Sequence, residues 1–381
     1  MSLPLRLCGA EVLHPGGLSD APLSIAGGHI VHDGGREVNL AGYMVLPGIV
    51  DIHGDGFERH LAPRRGAMKD IPAGLIATEA ELAANGITTA VLAQFYSWEG
   101  GMRGPEFAQR VMKGLDVVRG SVVTEMIAQL RIEICMLDGH EGAEALIAAH
   151  DIPYVVFNDH LPHEELAKGK RPPRLTGQAL RIGKNPEKHL ADLMAMHARL
   201  DEVPDALAAL TARLTARGVR LGSHDDKDAE GRARWRDLGA RIAEFPETLE
   251  AAEAAHGGGD AVIMGAPNLV RGGSHKGNAS ATDMVAMGLI GALASDYHYP
   301  SLRRAAFLVA DAGLADLAGA WALVSSGPAA MLGMPDRGTL APGLRADMVI
   351  VEAETRRIAA TLCAGRFSYL SGAAAERFLA A

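Results

Sequence analysis

The pattern of hydrophobic and polar positions changes twice along the chain. Up to residue 46, short apolar runs such as "LRLCGAEVL", "APLSIAGGHIV" and "REVNLAGYMVL" are punctuated by Gly, Pro and Asp in the manner of strands and turns. The same texture returns in "RGTLAPGLRADMVIVEAETRRIAATLCAGR". Two β-rich ends around a different middle predict one small β-sandwich domain built from both termini, residues 1–46 and 336–381.

The middle alternates. "IVDIH", "ITTAVLAQ", "LRIEICML", "PYVVFND", "VRLGSH", "RIAEF", "AVIMG" and "ALASD" are short apolar runs, most of them followed by a helix-patterned segment. That rhythm predicts an α/β architecture, and eight strands are the number that closes a (β/α)8 TIM-like barrel, here across residues 47–335. An open doubly wound sheet is the rival, but no GxGxxG follows the first strand. Residues 161–217 read as a long, mostly helical insertion after the fourth strand, with "PHEELAKGKRPPR" as its polar start.

Composition narrows the partners. A formal net charge of -9 gives no basic footprint for nucleic acid. The three cysteines, Cys8, Cys135 and Cys363, are odd in number and far apart, which argues against a disulfide framework and for a reducing, cytoplasmic setting. No run approaches the roughly 20 apolar residues that cross a bilayer. The N-terminus lacks the apolar core of a signal peptide. Self-association into a homo-oligomer through the outer helices is compatible with the barrel, and nothing in the sequence requires it.

The candidate chemistry lies at strand ends. In a parallel barrel the C-terminal ends and the loops after them converge, so polar residues there belong together. They are His53 and Asp55 around the end of "IVDIH", Glu133 in "LRIEIC", His160 after "VVFND", His224 in "LGSHDD" and Asp296 in "LASDYH". Alternation along a strand would put His53 and Asp55 on one face. Imidazoles and carboxylates are ligands of zinc and similar ions, and six such groups suffice to bridge two. One polar strand end is commonplace; five, always His, Asp or Glu, make a constellation. Without a metal these groups would carry a heavy desolvation penalty in a barrel mouth.

These residues carry a resemblance. "LPGIVDIHGD", with "GITTAVL" behind it and "RGTLAPGLRADMVIVE" near the end, resembles the amidohydrolase superfamily over nearly the whole chain. More narrowly, "SHDD", "AEFPETLEAAEAA", "VIMGAPNLVRGGSHKGN" and "LASDYHYPSL" resemble the α-D-ribose 1-methylphosphonate 5-triphosphate diphosphatases of the carbon–phosphorus lyase pathway. The resemblance implies a metal-dependent hydrolase that releases pyrophosphate from a ribose 5-triphosphate bearing a 1-phosphonate. It implies one or two divalent ions, zinc first and manganese or iron as alternatives. His53 would be the first ligand, and Asp55 would stand where most superfamily members have a second His. Glu133 would bridge, His160 and His224 would be the paired histidines, and Asp296 would bind metal and accept a proton from the attacking water. The superfamily usually carries those histidines on strands five and six, whereas the strand count here gives four and five.

A triphosphate needs positioning and charge neutralisation. The segment "GAPNLVRGGSHKGN", taken as a loop, supplies Arg271 and Lys276 as cations and Asn268, Ser274 and His275 as donors. Gly272 and Gly273 let backbone N–H groups approach an anion. Arg64 and Arg65 in "APRRG" and Lys227 would add to the funnel. Of Asp225 and Asp226, one is expected to orient a ligand and the other to cap the following helix. Cys135 is expected to be a buried core thiol. His60 and His298 suit substrate contact or plain exposure equally.

Two other functions stay open. An amidohydrolase or deaminase acting on a C–N bond would need the same metals, and fold alone does not decide. "HGDGFERHLAPRRG" and "YHYPS" depart from the diphosphatase pattern beside the metals, which keeps that alternative alive. A scaffold that has lost its metals is disfavoured by the intact six-residue set.

Overall fold

The computed structural model describes residues 4–62, 70–272 and 280–380. Eight parallel strands stand in chain order in one sheet, a nearly closed (β/α)8 barrel. They are β1 (Ile49–Gly54), β2 (Ile87–Tyr96), β3 (Glu125–Glu133), β4 (Tyr154–Asn158), β5 (Arg220–His224), β6 (Ala240–Glu244), β7 (Ala261–Gly265) and β8 (Ala292–Ala294). Each of the eight predicted runs forms one of them. β1 and β2 are buried at every position. A barrel strand is covered on both faces, which is why these segments read as nearly continuous apolar runs. Between β3 and β4 the chain forms a helix, His140–Ala149, and no further strand. His160 therefore follows the fourth strand and His224 ends the fifth, as the strand count has it.

Closure at β1 is made by backbone. Gly54 bridges to Asp296, the Asp296 N–H donates to the His53 carbonyl at 3.0 Å, and the Asp55 N–H donates to the Asp296 carbonyl at 2.9 Å. Gly54 has no room for a side chain: a Cβ would come within 2.8 Å of both Asp51 Oδ2 and Ser295 Oγ. The close approach of β1 to the residues after β8 thus depends on glycine.

The termini build two further sheets. One has four strands in the order His29–Val31, Leu23–Ala26, Leu5–Cys8, Arg36–Asn39. The other has six, with Met348–Glu352 antiparallel to Tyr43–Pro47, so that the two ends of the chain pair directly. Leu7, Val12, Ile25, Val38, Met348 and Ile350 share one buried apolar cluster.

The chain divides into two compact units, residues 1–92 with 117–127 and 261–381, and residues 93–116 with 128–260. The second unit holds the helical insertion, whose helices are His163–Ala167, Leu175–Arg181, Pro186–His197 and Val203–Ala216. Its expected polar start is itself helical at His163–Ala167. No helix among the described residues is long and apolar enough to cross a membrane.

Candidate active site

In the second unit the polar strand ends meet as a buried network. β3 presents Gln129, Arg131 and Glu133 at alternate positions, hence on one face. Glu133 is fully buried and holds His160 twice: one oxygen lies 2.5 Å from the ring Nδ1, the other accepts the His160 backbone N–H at 3.0 Å. Burial opposes a charge on His160, yet the hydrogen bond and the charge of Glu133 prevail and raise its pKa. The two residues expected to share metal are therefore neighbours.

His224, at the end of β5, is gripped from both ring nitrogens. Arg131 Nη2 lies 2.9 Å from Nε2, Glu244 Oε2 lies 3.3 Å from Nδ1, and Phe245 packs edge-on at 5.1 Å. Glu244, the last residue of β6, is also fully buried and accepts from Tyr154 Oη at 2.6 Å and Gln129 Nε2 at 2.8 Å. Arg131 donates to Asn158 Oδ1 and stacks its guanidinium 3.9 Å from the Phe95 ring centroid. Strand register explains the meeting: Glu133 stands beside Asn158, and His224 beside Glu244.

Arg131, Asn158, Tyr154 and Glu244 were not singled out in the sequence. The alternation in "QLRIE" and the Glu near the end of "RIAEF" are the signals that point to two of them. Chemically the set is donor-rich for a cation. Among the contacts of this unit, two buried carboxylates and two imidazoles face one guanidinium, and carboxylate plus imidazole is a divalent-metal ligand set.

In the first unit, His53 is fully buried one residue before the end of β1. Asp55 lies just past that end, where strand alternation no longer sets side-chain direction. Asp51, two residues before His53, anchors the barrel instead. Its carboxylate accepts the Ser295 backbone N–H at 3.0 Å and the Ser295 hydroxyl at 2.5 Å. Burial pushes the Asp51 carboxyl above its ordinary value, against the pull of those hydrogen bonds. Asp296 has a left-handed backbone, φ 55°, as do Asp225 (φ 59°) and Phe245 (φ 54°) directly after β5 and β6. Such conformations are costly for non-glycine residues, and three of the six among the described residues follow barrel strands here.

The presumed phosphate loop is in part a helix. Ala266–Arg271 is helical and ends at Gly272, whose φ of 76° makes a left-handed cap that glycine favours. Arg271 donates to Asn268 Oδ1 at 2.6 Å and to Tyr297 Oη at 2.9 Å. Gly273, Ser274, His275 and Lys276, and likewise Arg64 and Arg65, lie outside the described residues.

Four smaller expectations are refined. Neither Asp225 nor Asp226 caps the helix Ala229–Asp237; Asp228 does, accepting the Gly231 N–H at 2.7 Å. Asp226 instead bonds Ser223 Oγ at 2.7 Å and Arg232 at 3.0 Å, bracing the residue before His224. His60 pairs with Glu81 at 2.6 Å, and His298 with Ser301 Oγ at 2.7 Å, so both are held by protein. Cys135 is buried but not surrounded by apolar groups alone: it lies 3.8 Å from Asp159 and 3.9 Å from His163. Burial and the Asp159 and Glu133 carboxylates push its thiol far up.

A parallel barrel with His, Glu and Asp at its strand ends, together with sheets built from both termini, is a fold shared with solved hydrolases. Among solved structures it is similar to a triazine hydrolase variant (TM-score 0.64, 14% identity, 99% of this chain and 98% of that one). It is similar also to the N-acetylglucosamine-6-phosphate deacetylase of Thermotoga maritima (TM-score 0.63, 14% identity, 96% and 100%). No family model matches the sequence. The chain is 32% identical over 327 residues to the α-D-ribose 1-methylphosphonate 5-triphosphate diphosphatase of Escherichia coli strain K12, covering 83% of this chain and 85% of that protein. The chain belongs to this diphosphatase family and is a hydrolase.

Proposed function

We propose that the chain releases pyrophosphate from a ribose 5-triphosphate bearing a 1-phosphonate, as a step of phosphonate catabolism. The 32% identity with the diphosphatase carries this reading. The donor set fits a divalent cation, because buried carboxylates and imidazoles outnumber cationic groups around Glu133 and His224. His53, Asp55, Glu133, His160, His224 and Asp296 would hold one or two ions, zinc by preference and manganese or iron as alternatives. Glu244, which lies 3.3 Å from the His224 ring, joins the proposed set. When bound, such ions make hydroxide available at neutral pH by acidifying water.

The chain's own groups do the rest. Asp296, whose backbone bonds to those of His53 and Asp55, would take the proton of the attacking water and return it to the leaving group. Glu133 orients His160, and Asp226 braces Ser223 beside His224 while Asp225 lies 3.8 Å from that ring. Arg271, oriented by Asn268 and Tyr297, serves the phosphates as a planar donor. Gly272 with Gly273, Ser274, His275, Lys276 and Arg64 belong to the same proposal, all but Gly272 by sequence alone.

The test is metal content of the purified protein together with pyrophosphate release from the ribose 5-triphosphate, wild type against His224→Ala. One to two metals and pyrophosphate release, both reduced in the variant, are expected. Metal without triphosphate hydrolysis would move the activity to a C–N bond. No metal under any loading condition would end the catalytic reading.

A further inference from the structure

Cys135, Asp159 and His163 come from three separate segments: the residues after β3, the residue after β4 and the first turn of the helix His163–Ala167. His163 Nε2 lies 3.0 and 2.9 Å from the two Asp159 oxygens and 3.9 Å from Cys135 Sγ, and the sulfur lies 3.8 Å from Asp159 Oδ1. In a nucleophile–base–acid relay, thiol and carboxylate address opposite nitrogens of the ring. Here both address the same nitrogen. Three unlike ligand atoms converging on one point is what a shared ion requires. Zinc bonds of about 2.3 Å to sulfur and 2.0–2.2 Å to nitrogen or oxygen place neighbouring ligands of a tetrahedron roughly 3.3–3.6 Å apart. The observed triangle needs shifts of only a few tenths of an ångström to match.

The other nitrogen of His163 is also provided for. Its Nδ1 lies 3.1 Å from His197 Nδ1 on the helix Pro186–His197. A ligand histidine must carry its proton on the far nitrogen, and a hydrogen-bond acceptor there selects that tautomer. Cys135 in addition lines a cavity of about 590 Å³, so space exists beside it for water to complete a coordination shell. The cavity wall includes His189, which is 1% exposed with neither ring nitrogen hydrogen-bonded, so the cavity is polar enough to hold water.

We propose that Cys135, Asp159 and His163 form a second divalent-metal site, thiolate-containing and therefore suited to zinc, with His197 as its positioning residue. It uses none of the residues assigned to phosphate hydrolysis, so it stands or falls apart from that function.

Cobalt tests it on the whole protein, stripped with chelator and reloaded. A thiolate ligand gives a near-ultraviolet sulfur-to-cobalt charge-transfer band, which the carboxylate and imidazole set cannot give. The band is expected in wild type, absent in Cys135→Ala and His163→Ala, and retained in His224→Ala. His197→Phe should keep the band while weakening cobalt affinity about 10- to 100-fold, the usual cost of losing a partner that orients a ligand. Cobalt uptake without the band would overturn the second site and leave the catalytic set standing; a band that survives Cys135→Ala would also overturn it. Should the variants not fold by circular dichroism, wild type decides alone.

Discussion

Two buried ionic clusters lie in the same unit and differ in their balance. Around Asp226 and Asp260, three guanidiniums serve two carboxylates: Arg232 lies 3.0 Å from Asp226 and 3.2 Å from Asp260, which Arg236 and Arg241 reach at 2.8 and 2.9 Å. Around Glu133 and Glu244, one guanidinium, Arg131, and two imidazoles do the work. The carboxylates of both clusters are buried, while Arg241 is half exposed, so burial of the acids does not tell the clusters apart. The first is compensated by covalently tethered cations and needs nothing else. The second is built from groups that bind metal and leaves carboxylates in excess. A buried carboxylate is costly unless paired, so buried carboxylates in excess of tethered guanidiniums mark where an exchangeable cation belongs.

Removing a cation should thus have opposite consequences in the two places. Arg232→Met leaves Asp226 buried without its guanidinium and should cost about 3–5 kcal/mol of folding stability, read by urea denaturation. Metal per folded chain should be retained. A loss under 1 kcal/mol would show that the balanced cluster is not held by its charges. Glu133→Gln removes a charge without changing shape. It should lower metal affinity by more than about 100-fold, the upper range for groups that merely orient a ligand, with a smaller effect on stability. Undiminished metal content would place Glu133 among the orienting groups.

Arg131→Met sharpens the contrast. Arg131 donates to the His224 nitrogen that a metal would use, so it competes with a cation both by charge and by occupying a lone pair. Its removal should tighten metal binding about tenfold. That is well short of the ~4 kcal/mol of two charges 4 Å apart at a dielectric of about 20, because neighbours and water respond. Weaker binding would make Arg131 a supporting partner of the site and break the argument from charge balance.

Much of this was legible in the chain. The eight strands were readable because each is a short apolar run ended by a turn, and Glu133, His160, His224 and Asp296 stood out as candidates because polar residues at such ends contrast with apolar neighbours. Arg131 and Glu244 were harder. Alternation says which face a residue takes, but not which residue of the next parallel strand stands beside it, and that register put Glu133 next to Asn158 and His224 next to Glu244. The helix Ala266–Arg271 was taken for a loop because six residues with a proline at the second position carry too little periodicity to declare a helix.

The three aspartates after β5 offer the smallest and most local test. "HDDKD" places Asp225, Asp226 and Asp228 within four residues, and composition cannot rank them. Backbone geometry does. Asp225 is left-handed, Asp226 is buried against Arg232 and Ser223, and Asp228 has the extended backbone of an N-cap, with its carboxylate on the Gly231 N–H. An exposed cap lost to alanine costs about 1 kcal/mol. Asp228→Ala should lower stability by that much and leave metal content and pyrophosphate release as they are, since its carboxylate satisfies only a helix end. Asp226→Asn should act on the other side of the divide, loosening Ser223 and with it His224, and so reduce metal affinity. If both substitutions changed only stability, Asp226 would belong wholly to the balanced cluster, and the boundary between scaffold and site would run between Ser223 and His224.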